Sequence, residues 1–473
     1  MSKLKLFLIL LLVMLLIVGI SILSACKPAA TETTAATETT AATETTAVAD
    51  KGPVTIWIQD YAIKPESEQR AFYDKIFGDF ESKTGIKVKY ELLPWADALQ
   101  VHTLAASGGV APDIMDEFYT LDHILVGKGQ FGPLDITKYI EEHYGDLKTF
   151  ENMFFEGPLK DGTNYINGHY LGIPWRVGIR IAFYRTDLFE KAGIIDDKGK
   201  AKPPTNWDEM LEDMQKLTTK DTYGMGIGAG GADGTVRGAM DFIYQTGHGI
   251  VDQKTWDKCD IDNPEAIAGL QFLRDLIFKY KVIDQGVLSP TYSGLADLQS
   301  GRAAYVIGLP NASGVPLIEQ GIPVKAAVLP MGPKNNHAFM SGANFVIYRQ
   351  TKHLDAALEL LWYLAEPEIQ IGLSQLCGTI PASVEASKDP YFQESESVIT
   401  SFEQLESGCY LGTWPVTGQN PIMAYEEGAP FHDLMYGVYD IDAGSIEELV
   451  KKASVQIDKI LEESKVNIED FFK

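Results

Sequence analysis

The chain has 473 residues, enough for two or three domains with cores of their own. Apolar residues make up 45% and charged residues 22%, the balance of an ordinary globular protein rather than a disordered or collagenous one. The formal charge of −25 argues against nucleic acids and anionic surfaces as partners, while leaving a cationic ligand open.

The N-terminus departs from that average. Lys3 and Lys5 precede an apolar run from Leu6 to Ile20, and Leu23-Ser24-Ala25 leads directly into Cys26. This is the pattern of a secretory signal peptide over residues 1–25, and its end resembles a bacterial lipobox, which implies cleavage before Cys26 and lipidation of that thiol. A retained signal-anchor helix is the alternative, since the run is nearly long enough to span a bilayer. Residues 30–47 are three copies of Ala-Thr-Glu-Thr-Thr-Ala, with no large apolar side chain to repay ordering, so residues 26–51 read as a tether. Beyond Cys26 only Cys259, Cys377 and Cys409 remain, without a CxxC pair, so no metal site is expected. A Cys377–Cys409 disulfide and three buried thiols are both compatible with these spacings.

After the tether, Val54–Ile58 alternates as a strand and runs into Gln59-Asp60-Tyr61. A helix with Phe72, Ile76 and Phe80 on one face closes with Lys83 and Gly85. Ile86–Tyr90 is a second strand, Trp95–Ser107 a second helix, and Pro112–Met115 a short third strand leading to Asp116 and Glu117. The β-α-β-α-β order predicts a parallel sheet with helices on both faces, and ligands of such sheets lie at the carboxyl ends of strands. Gly172–Phe189 then brings Trp175, Arg176 and Arg180 around Gly178, between an apolar run ending at Pro174 and a strand over Ile179–Tyr184. Aromatic and bidentate-donor side chains beside a glycine suit a cleft between domains. Thr205 with Asp208, Asn263 with Pro264, and Ser445 with Glu448 mark further helix starts. Gly224–Gly234 lacks the spacings of a phosphate cradle and reads as strand and loop. Ala303–Gly308 and Ser341–Tyr348 are buried strands. Trp57, inside an alternating strand, reads as core, Asp113 as a turn cap, and Trp207 and Trp362 as helix packing.

Several blocks taken together resemble the extracellular solute-binding proteins of sugar ABC importers, the group that contains the maltose-binding protein. They are Phe80-Glu81-x-x-Thr84-Gly85-Ile86-x-Val88, Leu104-Ala105-Ala106-x-Gly108-Gly109-x-x-Pro112-Asp113-Ile114, Gly172-Ile173-Pro174 with Phe183–Gly193, Pro204-Thr205-x-Trp207-Asp208-Glu209, and Gly378-x-Ile380-Pro381-Ala382. They cover residues 52 to about 385 in order, whereas the last eighty residues match loosely. The resemblance implies an α/β, two-lobed periplasmic-binding-protein-like fold, each lobe a mainly parallel sheet flanked by helices, joined by crossover hinge strands. Lobe 1 would take residues 52–176 plus 341–395, and lobe 2 residues 177–340 plus 396–473. It also implies a lipid-anchored monomer on the outer face of the cell membrane, a carbohydrate ligand, a membrane permease as partner, and no cofactor.

Sugar sites in that family set aromatic faces against pyranose rings and use Asp, Glu, Asn and Arg to bond hydroxyls. By position within the blocks the resemblance implies Asp60, Tyr61, Asp116, Glu117, Trp175, Arg176, Tyr305, Asn311, Gly342, Asn344 and Trp414 as ligand contacts. Arg180 joins them from its place at the crossover, or pairs with an acid in the cleft wall. A glycosidase built on Asp116 and Glu117 is disfavoured, because adjacent carboxylates diverge rather than face one another. A polyamine would suit acidic loops and tryptophans, an acidic sugar would suit Arg176 and Arg180, and a ligand-presenting sensor would share the same fold.

Overall fold

The computed structural model describes residues 52–60, 64–94, 101–102, 104–105, 108–118, 132–160, 165–166, 168–228, 236–252, 254–255, 257–411, 422 and 428–471. The signal segment, Cys26, the repeats, Tyr61 and Trp414 lie outside these residues. Residues 49–473 form one compact unit. Among the described residues no helix is long and apolar enough to cross a membrane.

The chain opens with β1 (Val54–Asp60), α1 (Glu66–Thr84), β2 (Val88–Pro94) and β3 (Ile114–Phe118). Helix α1 buries Tyr73, Ile76, Phe77 and Phe80, and stops where Gly85 takes the left-handed φ of 76° and its N–H returns to Glu81 O. Both β2 and β3 pair with β1 in parallel, as the β-α-β-α-β order predicts. The short β4 (Tyr165–Ile166) and β5 (His169–Tyr170) form a separate hairpin. Then come β6 (Gly172–Arg185), α2 (Trp207–Leu217), β7 (Tyr223–Ile227), α3 (Pro264–Phe278), β8 (Ala303–Pro310), α4 (Asn311–Glu319) and β9 (Val324–Ala327). The chain continues through β10 (Ala338–Ile347), α5 (Leu354–Leu364), α6 (Pro367–Cys377), β11 (Ile380–Pro381), α7 (Glu396–Ser407), β12 (Cys409–Leu411) and α8 (Ile446–Phe471).

One sheet runs in the order β2-β1-β3-β10-β6-β8-β7, with β9 and β11 also on β6 and β12 on β10. Its ends are parallel, β2-β1-β3 on one side and β8-β7 on the other. Its middle is antiparallel, because β10 runs against both β3 and β6 and β6 runs against β8 and β9. The two middle strands are long: β6 spans 14 residues and β10 spans 10. β10 pairs with β3 of the first parallel end, β6 pairs with β8 of the second, and the two pair with each other, which makes them the crossover.

Several local expectations change. The crossover is not an apolar run, a break and a second strand, but the single continuous β6, so Trp175, Arg176 and Arg180 all lie within ordered strand. Strand β3 likewise runs past Met115 to Phe118 and takes Asp116 and Glu117 into the sheet. Trp57 is only half-buried, on the sheet's second face with Met115, Val346 and Tyr348, because the main core takes the even-numbered Ile56 and Ile58 of its strand. Asp113 ties strands together rather than capping a turn. Its Oδ2 accepts from Thr55 N at 2.8 Å and Thr55 Oγ1 at 2.7 Å, and its Oδ1 from Thr351 Oγ1 at 2.6 Å. At α2 the cap is Asn206, whose side chain accepts from Glu209 N, while Thr205 donates to Glu209 Oε2. Ser445 and Glu448 do form the reciprocal box, at 3.1 Å and 3.2 Å.

Candidate functional site

Strand β6 has two unlike faces at the crossover. Val177, Ile179 and Ile181 are wholly buried on one, whereas Arg176 and Arg180 are half-exposed on the other with Gly178 between them. Pairing with β10 sets Ala343 opposite Arg176 and Ser341 opposite Gly178, and ends with Met340 opposite Ile179. Ser341 is also half-exposed, and its Oγ donates to Gly178 O at 3.2 Å. A Cβ on Gly178 would stand 2.9 Å from Ser341 Oγ. The buried Gly178 and the small Ser341 thus form a closely packed floor between two half-exposed guanidiniums.

A bulge shapes one end of that floor. The register slips between Ala343 and Asn344, which pair with Arg176 and Pro174, so Trp175 is the extra residue. Bulges re-aim side chains in this way. The Trp175 ring stacks on Phe345 at 5.5 Å between centroids, the Arg176 guanidinium sits 5.9 Å from the Trp175 ring, and Trp175 Nε1 donates to Asp116 Oδ1 at 2.9 Å. Asp116 Oδ2 accepts from Gln59 N at 3.2 Å. Trp175 and Asp116 are both fully buried, so each acts at this end through the groups it holds. Behind them the Cys377 thiol is pushed up to about 12 by burial, with Arg176, Asp116 and Asp60 close enough to act on it electrostatically.

At the other end the Phe339 ring carries two guanidiniums, Arg180 at 5.6 Å and Arg237 at 5.3 Å from its centroid. Phe339 N donates to Asp241 Oδ1 at 2.9 Å, and burial pushes the Asp241 carboxyl up to about 7, opposed by that bond and by Arg180. Tyr305 lies inside the sheet between Tyr184 and Met225, wholly buried, its hydroxyl pushed up first by burial and then by Asp241.

Glu117 faces the opposite side of β3 from Asp116. It pairs with Asn344, and its Oε1 accepts from the Tyr348 hydroxyl. Its Oε2 has no hydrogen-bond partner among the described residues. Burial pushes this carboxyl up to about 8, partly offset by the Tyr348 bond and reinforced by Asp116. On the same face Gln59 Nε2 meets His102 Nε2 at 2.5 Å, and burial lowers the His102 imidazole to about 4. Asn344 is buried in this row, and Gly342 lies opposite Val177.

The remaining candidates scatter. Asp60 accepts from Gln69 Nε2 at 2.8 Å at the end of β1. Asn311, buried at the start of α4, donates to Gly378 O at 3.1 Å and ties the β8–α4 junction to the α6–β11 turn. The structure therefore gathers Trp175, Arg176, Arg180 and Asp116 on one strip and sends Glu117 and Asn344 to its reverse. Ser341, Arg237 and Asp241 are members that sequence reasoning passed over. Cys259, Cys377 and Cys409 are free thiols, so no disulfide joins Cys377 to Cys409. Among the described residues no cluster of three His, Cys, Asp or Glu could hold a metal.

Residues 64–371 match the sequence model of the family described as bacterial extracellular solute-binding protein. An arabinooligosaccharide-binding protein of Bacillus subtilis is 25% identical over 365 residues, which cover 74% of this chain and 78% of that protein. Among solved structures, the sugar-binding protein MalE of Xanthomonas citri superposes with a TM-score of 0.70 at 19% identity, covering 88% of this chain and 99% of the other. An ABC transporter solute-binding protein of Thermotoga lettingae bound with α-D-tagatose gives 0.65 at 22% identity, over 86% and 99%. The fold is the mixed α/β, two-domain architecture of those proteins.

Proposed function

The chain belongs to the bacterial extracellular solute-binding proteins, and on that premise we propose that it captures a sugar or oligosaccharide on the crossover floor and delivers it to the permease of an ABC importer. The observation that carries this reading is the pair of half-exposed guanidiniums Arg176 and Arg180 with the half-exposed Ser341, set beside the buried Gly178 where the two long strands pair. Bidentate guanidiniums, a hydroxyl and a neighbouring aromatic stack are what binding a ring of hydroxyls requires. Two lobes hinged at β6 and β10, with the boundaries expected above, would close over that floor, and a permease can read closure only if ligand favours the closed form. Anchoring through a lipid on Cys26 and a monomeric state complete the proposal.

Binding rather than hydrolysis suits the carboxylates. Asp116 and Glu117 point to opposite faces of β3, so they cannot flank one glycosidic bond. Intrinsic tryptophan fluorescence of residues 49–473, titrated with neutral mono- and oligosaccharides, uronic acids and polyamines, tests the reading. A saturable shift with a saccharide that is recovered intact, and that is altered in Trp175→Phe, is the expected result. A response confined to polyamines contradicts it.

A further inference from the structure

Gln59, His102 and Glu117 are each no more than 1% exposed, yet each keeps one side-chain atom without a hydrogen-bond partner among the described residues. These atoms are Gln59 Oε1, His102 Nδ1 and Glu117 Oε2. Buried polar atoms left unmet are uncommon and costly, and three from separate segments in one place call for a shared partner. Strand pairing brings them together. Trp57 of β1 pairs with Met115 of β3, and Gln59 and Glu117 follow two residues on, so all four side chains share one face of the sheet. His102 joins from the segment ahead of β3, its ring 6.4 Å from that of Trp57 and its Nε2 2.5 Å from Gln59 Nε2. From β10 the Tyr348 hydroxyl reaches Glu117 Oε1, and Asn344 stands opposite Glu117.

The bonds already made fix what that partner must be. An amide nitrogen only donates, so the Gln59 Nε2 contact makes His102 Nε2 the acceptor and leaves the imidazole proton on Nδ1. The Tyr348 hydroxyl donates to Glu117 Oε1, so a carboxyl proton belongs on Oε2. Burial holds Glu117 up to about 8, opposed by the Tyr348 bond and reinforced by Asp116 on the reverse face, and burial lowers His102 to about 4. Both are therefore mainly uncharged at neutral pH. The three open atoms are then two donors, His102 Nδ1–H and Glu117 Oε2–H, and one acceptor, Gln59 Oε1. The donors turn away a cation and the acceptor turns away an anion. A neutral partner that accepts twice, donates once and fits among side chains closed to solvent is water, and three bonds are its usual complement when buried. We propose that Gln59, His102 and Glu117 form the binding site of one structural water, which joins β1, β3 and the segment ahead of β3. The site lies behind the aromatic end of the strip, because Gln59 N donates to Asp116 Oδ2 at 3.2 Å and Asp116 Oδ1 holds Trp175 Nε1. It does not depend on what the strip binds.

The test joins nitrogen NMR of the histidines with a crystal structure of residues 49–473 at neutral pH. The His102 signal, identified by its loss in His102→Phe, should be that of the Nδ1–H tautomer and stay neutral until pH falls to about 4. Its Nδ1 proton should show magnetisation transfer from a long-lived water. The crystal should hold one water within hydrogen-bond reach of Gln59 Oε1, His102 Nδ1 and Glu117 Oε2. Glu117→Gln keeps an oxygen for Tyr348 and an N–H for the water, so the transfer should persist, whereas Glu117→Met offers neither and should abolish it. An Nε2–H tautomer overturns the proposal. So does an ion in the site, direct bonding among the three side chains, or transfer undiminished in Glu117→Met. The tautomer and the crystal need no change at Glu117, so they decide the matter even where Glu117→Met fails to fold.

Discussion

The indole nitrogen of Trp175 donates to Asp116 Oδ1 at 2.9 Å, and neither side chain reaches solvent. This bond joins the extra residue of the β6 bulge to the end of β3, so the aromatic end of the floor is fixed by a carboxylate from a strand two places away. Asp116→Ala strands both the indole N–H and Gln59 N. A loss of about 2–4 kcal/mol follows from two buried donors left unmet. Asp116→Asn should cost less, since it keeps an acceptor for Trp175 while setting an amide against Gln59 N. Urea unfolding of the two variants checks the order.

Glu117 gives the fold a pH dependence of definite sign. Its carboxyl titrates at about 8 in the folded chain against 4.5 in an exposed one, so between these values the folded chain keeps a proton that the unfolded chain releases. Its contribution is complete below about 4.5 and is lost as pH rises through 8. Asp241, held up to about 7, acts in the same direction. His102, lowered to about 4 from 6.5, acts oppositely, but only below pH 6.5. Unfolding measured from pH 6.5 to 8 should therefore show stability falling with pH, and Glu117→Gln should flatten that slope. A slope unchanged by the substitution contradicts this assignment.

Arg274 pins a distant turn. From α3 its guanidinium donates to Val438 O at 3.2 Å, Gly444 O at 2.6 Å, Asp440 O at 3.0 Å and Gly437 O. Arg274→Met keeps the stem but leaves these carbonyls to water or to nothing. The expected cost is roughly 2–4 kcal/mol, with amide exchange rising first around residues 437–444. Uniform exchange across the chain would show that the turn does not depend on Arg274.

Much of the scaffold was legible in the sequence. Alternation in Val54–Ile58, the Gly85 stop and the Ser445–Glu448 pair are local signals, and local hydrogen bonds realise them. The site was less so. Asp116 and Glu117 resembled a loop because carboxylates are poor strand formers, yet Trp175, Gln59 and Tyr348 supply partners that let both enter the sheet. The bulge at Trp175 depends on register with β10, some 170 residues later, which no window of β6 records. Arg237 and Asp241 follow a glycine-rich stretch with no signal of their own, and only the position of Phe339 brings them to the floor. Ser341 offered one cue, a hydroxyl at the head of a returning apolar strand.

Binding across the crossover floor is tested most directly by titration calorimetry of residues 49–473 and of Gly178→Val with the saccharide that shifts tryptophan fluorescence. Valine suits a strand, and although its Cβ would stand 2.9 Å from Ser341 Oγ and 3.5 Å from Ser341 O, a small shift of that hydroxyl accommodates it, so the fold should persist. The added methyl groups would stand where the ring is proposed to lie. Loss of binding by at least about tenfold, with thermal unfolding little changed, is the predicted result. Undiminished affinity in Gly178→Val would place the ligand elsewhere and contradict the floor as the binding site.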